Sequence, residues 1–579
     1  MSSRTRFSVR IRLIASLIIG ISLIFIIRLY FLQVVHGKEY RAQAESEYVK
    51  QSQNQIDRGS IFFTAKDSTL ISAASIASGD TVAVNPQLLK DPASAYRTLK
   101  KYFPDLDETV FMGKATNKDV VYAEIERQVP ADVGNKVIAE NIKGVQVLKE
   151  TWRFYPGGNL AGQTIGFLAY GPDGRTLLGQ YGLERYYDEA LSHSTNGLYV
   201  NFFADLFTNL RAELSTGSQS PGADLVISIE PTVQSFLEDQ LKKYNDMWHP
   251  KTAGAIIMDP STGEILAMAA TPSFDPNNFK DADPNTFRNP LVQNDYEFGS
   301  IVKALTMAAG IDSGAVTPTT TYNDTGCITL DKKRICNYDL KARGVIPMQQ
   351  ILSQSLNVGA AWVENRMGSA IFTSYLKKYG IEEETGIDLP GEASPLVANL
   401  SSPRQVEYAT ASFGQGIALT PVAMTRALAT LADHGAVPSP HVGLELDYGG
   451  GLVKKLGWAP PRQAITPQTA DTVTRMLVNV VDNSLANGKA KIPEYSVAAK
   501  TGTAQIEDPT THEYYPDRYL HSFFGYFPAY NARFIVFFYA LEPQGAQYAS
   551  ETWTKPFSDT VHFLINYYHV PPDRAPTSQ

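Results

Sequence analysis

Three short strings could together form an acyl-transfer site, and they follow one another along the chain as Ser300-Ile-Val-Lys303, Ser355-Leu-Asn357 and Lys500-Thr-Gly502. A serine hydroxyl attacks a carbonyl carbon efficiently only when a neighbouring group removes its proton, and a neutral lysine amine can do that. Strings of these three kinds occur together in acyltransferases that pair a serine nucleophile with a lysine base. The order of the strings carries this prediction, because each one alone is common.

Partial copies elsewhere in the chain show how weak a single string is. Ser374-Tyr-Leu-Lys377 has the spacing of the first string, and Ser194-Thr-Asn196 has that of the second. Chance gives about two Ser-x-x-Lys matches in a chain of this length. Lys-Thr-Gly occurs once, and only the set that begins at Ser300 presents all three strings in order.

The run that follows Ser300 is apolar almost all round, which predicts a buried helix with the serine at its start. Free backbone N–H groups and the positive end of the helix dipole would then surround the hydroxyl. Lys303 lies one turn later on the same face. Loss of solvation should lower the pKa of Lys303, so that its neutral amine takes the serine proton. The alternative is a serine that merely caps a helix beside a surface lysine.

The second string is expected near the end of a helix that begins at Pro347, where an irregular turn could aim Ser355 and Asn357 into one cleft. Ser355 could pass a proton between Lys303 and the leaving amine. Asn357 could hold both the lysine and the substrate amide.

The third string has the pattern of a strand, whose alternation places Lys500 and Gly502 on one face. Lys500 offers a positive charge for a substrate carboxylate, and it would lower the pKa of Lys303 further if the two are near. Gly502 would let an acyl substrate lie close to the backbone.

Two further roles are predicted around this strand. The hydroxyl of Thr501 or Thr503 could bind the substrate carboxylate, and the backbone N–H groups of Ser300 and Thr503 could form an oxyanion hole. A Ser-His-Asp site is the competing arrangement, since the chain has 9 histidines. Gly-x-Ser-x-Gly is absent from the sequence, so this arrangement is not favoured.

Length and composition narrow the class of protein. The 579 residues are 44% hydrophobic and 19% charged, which predicts two to four globular domains. The 51 Lys and Arg against 59 Asp and Glu give a net charge of −8, so nucleic acid is not an expected partner. Two cysteines without a nearby histidine pair do not predict zinc, and no motif predicts another metal or a cofactor.

An apolar stretch from Leu13 to Val35 is long enough to cross a bilayer as a helix, with Arg28 expected to reach toward an interface. Arginines at four positions of residues 1–12 place that tail in the cytoplasm and the rest of the chain outside. A cleaved signal peptide is the alternative, supported by Ala42-Gln43-Ala44. The stretch exceeds the usual apolar region of a signal peptide, so we expect a retained single-pass anchor.

The only cysteines, Cys327 and Cys336, flank a predicted turn at Asp331 and Lys332. If the turn has two residues, antiparallel pairing brings the cysteines within disulfide range. Two free thiols on a hairpin are an equal alternative, because the sequence does not fix the register.

The chain is predicted to be an α+β protein with two domains after the anchor. Residues 38–214 have mixed helix and strand patterns and are called the pedestal here, residues 215–222 are rich in turn formers and predict a linker, and residues 571–579 form a tail. Within residues 223–570, strand patterns lie at 253–270 and 495–541, with helices between them and a closing helix at 557–568. This arrangement predicts one antiparallel sheet, built from both ends of the domain and flanked by helices.

With these residues in place, the chain resembles the monofunctional, class B penicillin-binding proteins almost from end to end. Besides the three strings, the segments that carry the resemblance are Arg28-Leu-Tyr-Phe-Leu-Gln-Val-Val35, Arg153-Phe-Tyr-Pro-Gly157, Tyr181-Gly-Leu-Glu184, Tyr296-Glu-Phe-Gly-Ser300, Leu389-Pro-Gly-Glu392, Ser412-Phe-Gly-Gln-Gly416 and Lys500-Thr-Gly-Thr-Ala504.

The resemblance implies a peptidoglycan D,D-transpeptidase of a bacterial plasma membrane, with its catalytic domain outside the cytoplasm. Ser300 would be acylated by a D-Ala-D-Ala stem peptide with release of D-Ala, and the acyl group would pass to an amine of a neighbouring strand. β-Lactams would acylate the same serine. No second catalytic domain of the glycosyltransferase type is found in the sequence, so a separate membrane glycosyltransferase is the implied partner.

Three departures from the family pattern carry expectations of their own. Arg58-Gly-Ser-Ile61 is followed by Phe62-Phe-Thr-Ala-Lys-Asp67 instead of the usual turn, so the pedestal contacts are expected to differ. Leu356 replaces a small residue, and Ala499 stands where glycine usually precedes the lysine, so cleft width and β-lactam affinity are expected to differ.

A penicilloyl-serine hydrolase or β-lactam sensor, and a catalytically silent wall scaffold, are the alternative functions.

Overall fold

A computed structural model describes residues 28, 56, 58–173, 176–192, 222–511 and 513–575. Among these residues, no helix has the length and apolarity that a bilayer crossing needs. The predicted anchor lies outside the described residues apart from Arg28, and the predicted linker lies outside them apart from Gly222. The chain forms two compact units. The boundaries between them follow Asp57, Ser75 and Phe154, and none falls at the predicted linker.

The smaller unit contains residues 76–154, together with the chain up to Asp57. Its sheet is formed by the second half of the strand Leu70–Val84, with Ala123–Val129 and Val145–Phe154. Its helices are Pro92–Leu99, Glu108–Thr116 and Ala131–Ala139. Val82 and Val84 alternate toward these helices, where Leu99 and Phe111 complete an apolar core.

The larger unit is built on a five-stranded antiparallel sheet, called the central sheet here. Its strands lie side by side in the order Ala498–Glu507, Tyr514–Phe527, Phe534–Leu541, Thr252–Met258 and Ile265–Thr271. The two N-terminal strands therefore join a sheet that the chain completes about 230 residues later. The predicted sheet from both ends of the domain is present.

Both faces of the central sheet are covered, which explains why its middle strands are apolar at successive positions. Ala255 and Ile257 face one apolar core with the helices Pro231–Trp248 and Ala549–Tyr568. Ile256 and Met258 face a second core that contains the helix Val302–Asp312. This second core places the predicted nucleophile segment against the sheet.

The remaining elements of the larger unit are short. The other helices are Gly162–Ile165, Gly182–Tyr186, Asp188–Leu191, Pro290–Gln293, Met348–Ser353, Asn357–Met367, Ser369–Lys378, Gln405–Ala411, Pro421–Ala432 and Pro467–Asn479. Hairpins or strand pairs join Leu168–Tyr170 to Leu177–Gly179, Thr321–Asp324 to Gly344–Pro347, Cys327–Leu330 to Lys333–Cys336, and Ala436–Val437 to Arg462–Gln463.

Residues 58–75 belong to the larger unit, although the sequence pattern grouped them with the pedestal. The strand Ile61–Thr64 pairs in parallel with Asp224–Ile227, which pairs in turn with Gly443–Asp447. The last of these also pairs with Val453–Lys455. Strands that pair over more than 150 residues leave no local pattern in the sequence that would identify their partner.

Arg58 holds the start of this segment in place, although residues 62–67 depart from the family pattern. Its guanidinium contacts the carboxylates of Glu184 and Asp188, each at 2.7 Å, and both Arg58 and Glu184 are buried. Tyr155 Oη lies 3.3 Å from the same Glu184 carboxylate. The Arg58-Gly, Tyr155-Pro-Gly and Gly-Leu-Glu184 segments therefore meet in one cluster.

The closing helix is longer than its pattern predicts, because it runs from Ala549 to Tyr568 and contains Pro556. Proline is most common in the first turn of a helix, but Pro556 lies inside this one. The predicted start at residue 557 was therefore too late. The first turn is instead fixed by Glu551, whose carboxylate accepts the N–H of Tyr548 at 2.9 Å.

Candidate active site

Ser300 lies in a single 3₁₀ turn, Gly299–Ile301, directly before the helix Val302–Asp312. The α-helix thus begins two residues later than the predicted start, and the serine sits at its entrance. Gly299 has φ +65°, and a Cβ there would lie 3.0 Å from the carbonyl oxygen of Thr503. A glycine is needed because the serine turn and the Lys500 strand approach this closely.

Lys303 is 1% exposed, and its Nζ lies 2.9 Å from Ser300 Oγ. The same nitrogen donates to the carbonyl oxygen of Ser355 at 2.6 Å and to Asn357 Oδ1 at 2.7 Å. Burial is the largest cause that lowers the pKa of Lys303 well below its usual value, and the charge of Lys500 adds to the effect. The competing interpretation as a surface lysine is therefore wrong.

Ser355 occupies a left-handed turn, with φ +55°, between the helices Met348–Ser353 and Asn357–Met367. The irregular turn expected near the end of the first helix is therefore present, and Asn357 opens the next helix. Ser355 Oγ lies 3.3 Å from Lys303 Nζ and 3.0 Å from Lys500 Nζ. The hydroxyl therefore stands between the two lysines.

Lys500 is 2% exposed and projects from an edge strand of the central sheet. Its Nζ also donates to the carbonyl oxygen of Thr501 at 2.9 Å. Burial lowers the pKa of Lys500 to about 7, so its charge is not permanent at neutral pH. A substrate carboxylate beside it would restore the charge.

The rest of the third string divides between the two faces of its strand. Thr501 and Thr503 are half-buried, and Thr503 Oγ1 accepts the N–H of Ala549 at 3.1 Å. Gly502 is buried, and a Cβ there would overlap Ser522 Oγ and the carbonyl oxygen of Phe298. The structure therefore shows a packing reason for Gly502, and the close approach of substrate stays a prediction.

The partial copies of the strings have no such surroundings where the structure describes them. Ser374 and Lys377 lie on the helix Ser369–Lys378, and the Lys377 side chain is 61% exposed. Ser194 and Asn196 lie outside the described residues.

Cys327 and Cys336 lie opposite each other in register and are joined by a disulfide. The intervening turn has two residues, Asp331 and Lys332, both with positive φ. Of the two alternatives that the sequence left open, the structure has the bonded one.

Contacts that the sequence did not signal hold the second string in place. The carbonyl oxygen of Cys336 accepts a hydrogen bond from Asn357 Nδ2 at 2.9 Å, and Asn337 Oδ1 accepts the N–H of Val358 at 3.1 Å. The disulfide hairpin therefore ends on the residues that orient Asn357. A backbone acceptor and a single asparagine leave no recognisable spacing, so only the folded structure identifies them.

The segment before Ser300 has partners of the same kind. Gly299 N–H donates to the carbonyl oxygen of Gly414 at 3.0 Å. The Glu297 carboxylate accepts the N–H of Gly416 at 2.7 Å and the Tyr514 hydroxyl at 2.9 Å. Burial raises the pKa of Glu297 to about 7. The string Ser412-Phe-Gly-Gln-Gly416, quoted above only as a resemblance, thus supports the serine turn.

Leu356 and Ala499, which depart from the family pattern, are both fully buried. Neither side chain therefore has surface facing an open cleft. No group of three or more His, Cys, Asp or Glu that could hold a metal occurs within the described ranges.

Comparison with known proteins agrees with this geometry. The model of the penicillin-binding protein transpeptidase domain matches residues 253–561, more than half of the chain. The chain belongs to this family, which confirms the resemblance found in its motifs.

Relatives along the full length are also similar. Stage V sporulation protein D of Bacillus subtilis is 28% identical over 548 residues, which cover 93% of this chain and 82% of that protein. The probable peptidoglycan D,D-transpeptidase PenA of Neisseria meningitidis is 27% identical over 586 residues, which cover 100% of this chain and 95% of PenA.

Solved structures share the fold. Penicillin-binding protein 2X from Streptococcus thermophilus has a TM-score of 0.71 at 21% identity, over 88% of this chain and 79% of that one. Penicillin-binding protein 3 of Mycobacterium tuberculosis, complexed with aztreonam, has a TM-score of 0.68 at 22% identity, over 90% of this chain and 99% of that one.

Proposed function

We propose that this chain is a peptidoglycan D,D-transpeptidase that works through an acyl-serine intermediate and that β-lactams acylate the same serine. The single observation that carries the proposal is the fully buried Lys303 amine, 2.9 Å from Ser300 Oγ and flanked by Lys500. Membership of the penicillin-binding protein transpeptidase family supports it. So does the printed name of PenA, a probable enzyme of this activity.

The partners of Lys303 suit a neutral amine. The Ser355 carbonyl and Asn357 Oδ1 can only accept, so they use two N–H bonds of the lysine. A neutral amine then has one lone pair left, and of its two remaining neighbours Ser300 Oγ, at 2.9 Å, is nearer than Ser355 Oγ, at 3.3 Å. The arrangement thus aims the lone pair at the serine proton.

Acylation follows from this arrangement. Ser300 Oγ gives its proton to Lys303 Nζ and bonds to the carbonyl carbon of the penultimate D-Ala, while the N–H groups of Ser300 and Thr503 stabilise the oxyanion. The C–N bond then breaks, and the proton passes from Lys303 through the Ser355 hydroxyl to the leaving amine. D-Ala departs, and an ester on Ser300 remains.

Transfer reverses these proton movements. An acceptor amine attacks the ester carbonyl and loses a proton through Ser355 to Lys303, which returns a proton to Ser300 Oγ as the ester bond breaks. Lys500, with Thr501 or Thr503, would bind the carboxylate of the donor peptide or of a β-lactam. Asn357 would hold the amide of the donor.

The location of the enzyme is part of the proposal. Residues 13–35 would form a single-pass anchor in the bacterial plasma membrane, with residues 1–12 in the cytoplasm and the pedestal and catalytic domain outside. A separate membrane glycosyltransferase would supply the glycan strands. Alkaline extraction of membranes, with and without residues 13–35, tests the anchor: the full chain should stay with the membrane and the truncated chain should not.

The test of the activity is intact mass spectrometry after exposure to benzylpenicillin, with the adduct mapped to a peptide. We expect one penicilloyl group on the peptide that contains Ser300, no adduct in Ser300→Ala, and an unchanged adduct in the control Ser374→Ala. Equal labelling of Ser300→Ala and the wild type would refute the proposal. Rapid loss of the adduct would instead favour the hydrolase or sensor, and no adduct at all would favour the silent scaffold.

A further inference from the structure

Two exposed tyrosines contact each other, and each lies next in sequence to a segment that holds the active site. Tyr338 is 57% exposed and Tyr548 is 36% exposed, and their ring centroids lie 5.9 Å apart at an interplanar angle of 76°. This is the edge-to-face geometry that aromatic pairs prefer. The two residues are 210 positions apart in the chain, so the contact depends on the fold.

Each ring is attached to a different part of the catalytic machinery. Tyr338 directly follows Cys336 and Asn337, which bind Asn357 and Val358. Tyr548 directly precedes Ala549, whose N–H binds Thr503 Oγ1 on the Lys500 strand. The ring pair therefore joins the Asn357 side of the site to the Thr503 side.

Hydrogen bonds lie close to both rings in the chain. Near Tyr338, the Arg343 guanidinium contacts both carboxylate oxygens of Asp339, at 2.7 and 2.8 Å, and its Nε donates to Gln354 at 3.0 Å. Tyr548 N–H donates to the Glu551 carboxylate at 2.9 Å. Rotation of the two side chains, which takes picoseconds to nanoseconds for exposed residues, separates the rings without breaking these contacts.

We propose that Tyr338 and Tyr548 form a side-chain gate across the mouth of the site, which selects against acyl donors that carry bulky side groups. The inference rests on the proposed acyl-serine function. A slim donor passes beneath or beside the closed pair, whereas a bulky donor reacts only with molecules in which the rings have parted. Because an aromatic pair of this kind is weak, the closed state should lower the apparent reactivity of a bulky donor by about two- to tenfold.

The test compares second-order acylation rate constants for 6-aminopenicillanic acid, which lacks an acyl side chain, and for piperacillin, which carries a large one. Tyr338→Ala and Tyr548→Ala should each raise the piperacillin to 6-aminopenicillanic acid ratio by about two- to tenfold. Tyr548→Phe keeps the ring and should leave the ratio unchanged. Tyr170→Ala, at an exposed tyrosine on the strand Leu168–Tyr170, is the matched control.

The double variant separates a gate from two independent obstacles. Removal of either ring already opens a gate, so Tyr338→Ala with Tyr548→Ala should raise the ratio no further than one substitution does. A product of the two single effects, an unchanged ratio in both single variants, or a lower ratio would overturn the gate. Absence of any adduct in the wild type would refute the acyl-serine function itself, whereas a normal adduct with an unchanged ratio would refute only the gate.

Discussion

The chain contains two Ser-x-x-Lys segments in helical surroundings, and the structure places them in opposite environments. Lys303 is 1% exposed and its Nζ contacts Ser300, Ser355 and Asn357. The Lys377 side chain is 61% exposed and pairs with Glu382 at 3.1 Å. Ser374 Oγ donates to the carbonyl oxygen of Ile371 in its own helix and not to Lys377.

The comparison separates what spacing provides from what the fold provides. A spacing of three residues puts a serine and a lysine on one face of a helix in both segments. Of the two lysines, only Lys303 is buried and donates to two residues of another chain segment, Ser355 and Asn357. We therefore expect the reactivity of Ser300 to depend on burial and on the second and third strings, and not on the first string alone.

The largest expected effect comes from the removal of Lys303, with the removal of Lys377 as the matched control. Lys303→Ala should lower the acylation rate by about 100- to 10,000-fold, because the base for Ser300 is lost. Lys377→Ala should leave the rate unchanged. Stopped-flow measurements with a chromogenic cephalosporin give both rates.

Folding must be checked in the same variants, because Lys303→Ala also leaves acceptors without a donor. Far-ultraviolet circular dichroism and thermal unfolding should show a folded protein. Wild-type acylation in a folded Lys303→Ala variant would remove the lysine from its role as base and would make the two segments equivalent.

The second prediction concerns the pH dependence of the acylation rate constant. We expect a rising limb and a falling limb, each with a change of about tenfold per pH unit. The rate constant for free enzyme should rise with pH while Lys303 loses its proton, since only the neutral amine is a base. It should fall above about pH 7, where Lys500 loses the charge that binds the carboxylate. Lys500→Arg keeps a charge at all these pH values, so it should remove the falling limb if it still acylates.

Saturating β-lactam sharpens this prediction. A bound carboxylate favours the charged form of Lys500 and raises its pKa, so the falling limb of the first-order acylation rate should move to higher pH. Lys377→Arg should leave both profiles unchanged. A falling limb that persists at the same pH in Lys500→Arg would assign it to another group.

The elements that carry the first and third strings could be predicted because their patterns are strong. The apolar run after Ser300 predicts a buried helix, and the alternation around Lys500 predicts a strand. Order along the chain then indicates that these elements converge, although the distances become known only from the fold. An irregular turn was expected at Ser355, but its left-handed conformation, with φ +55°, was not, because residues other than glycine rarely adopt it.

Other features depend on partners too distant in sequence to leave a pattern. Gly502 is confined by Phe298 and Ser522, which come from separate elements of the larger unit. Residues 58–75 join the larger unit because Ile61 and Phe63 are buried beside a strand that begins at Asp224. A sequence pattern shows that such residues are apolar or small, but it does not show what covers them.

The disulfide gives the smallest expected effect and tests how far the surroundings of Lys303 extend. The disulfide joins residues that are 9 positions apart. A disulfide that closes a loop of this size is expected to contribute about 2–3 kcal/mol to the free energy of unfolding. The carbonyl oxygen of Cys336 holds Asn357 Nδ2, and Asn357 Oδ1 holds Lys303 Nζ. Replacement of both cysteines by alanine should therefore loosen this chain of contacts and slow acylation about two- to fivefold, since one hydrogen bond of this kind contributes about 1 kcal/mol.

Thr329→Ala, at an exposed position on the same hairpin, is the matched control and should change neither stability nor rate. Urea unfolding and acylation kinetics measure the two effects separately. If the double alanine variant loses stability but acylates at the wild-type rate, the hairpin stabilises the fold without orienting Asn357. The environment that distinguishes Lys303 from Lys377 would then end at Asn357 itself.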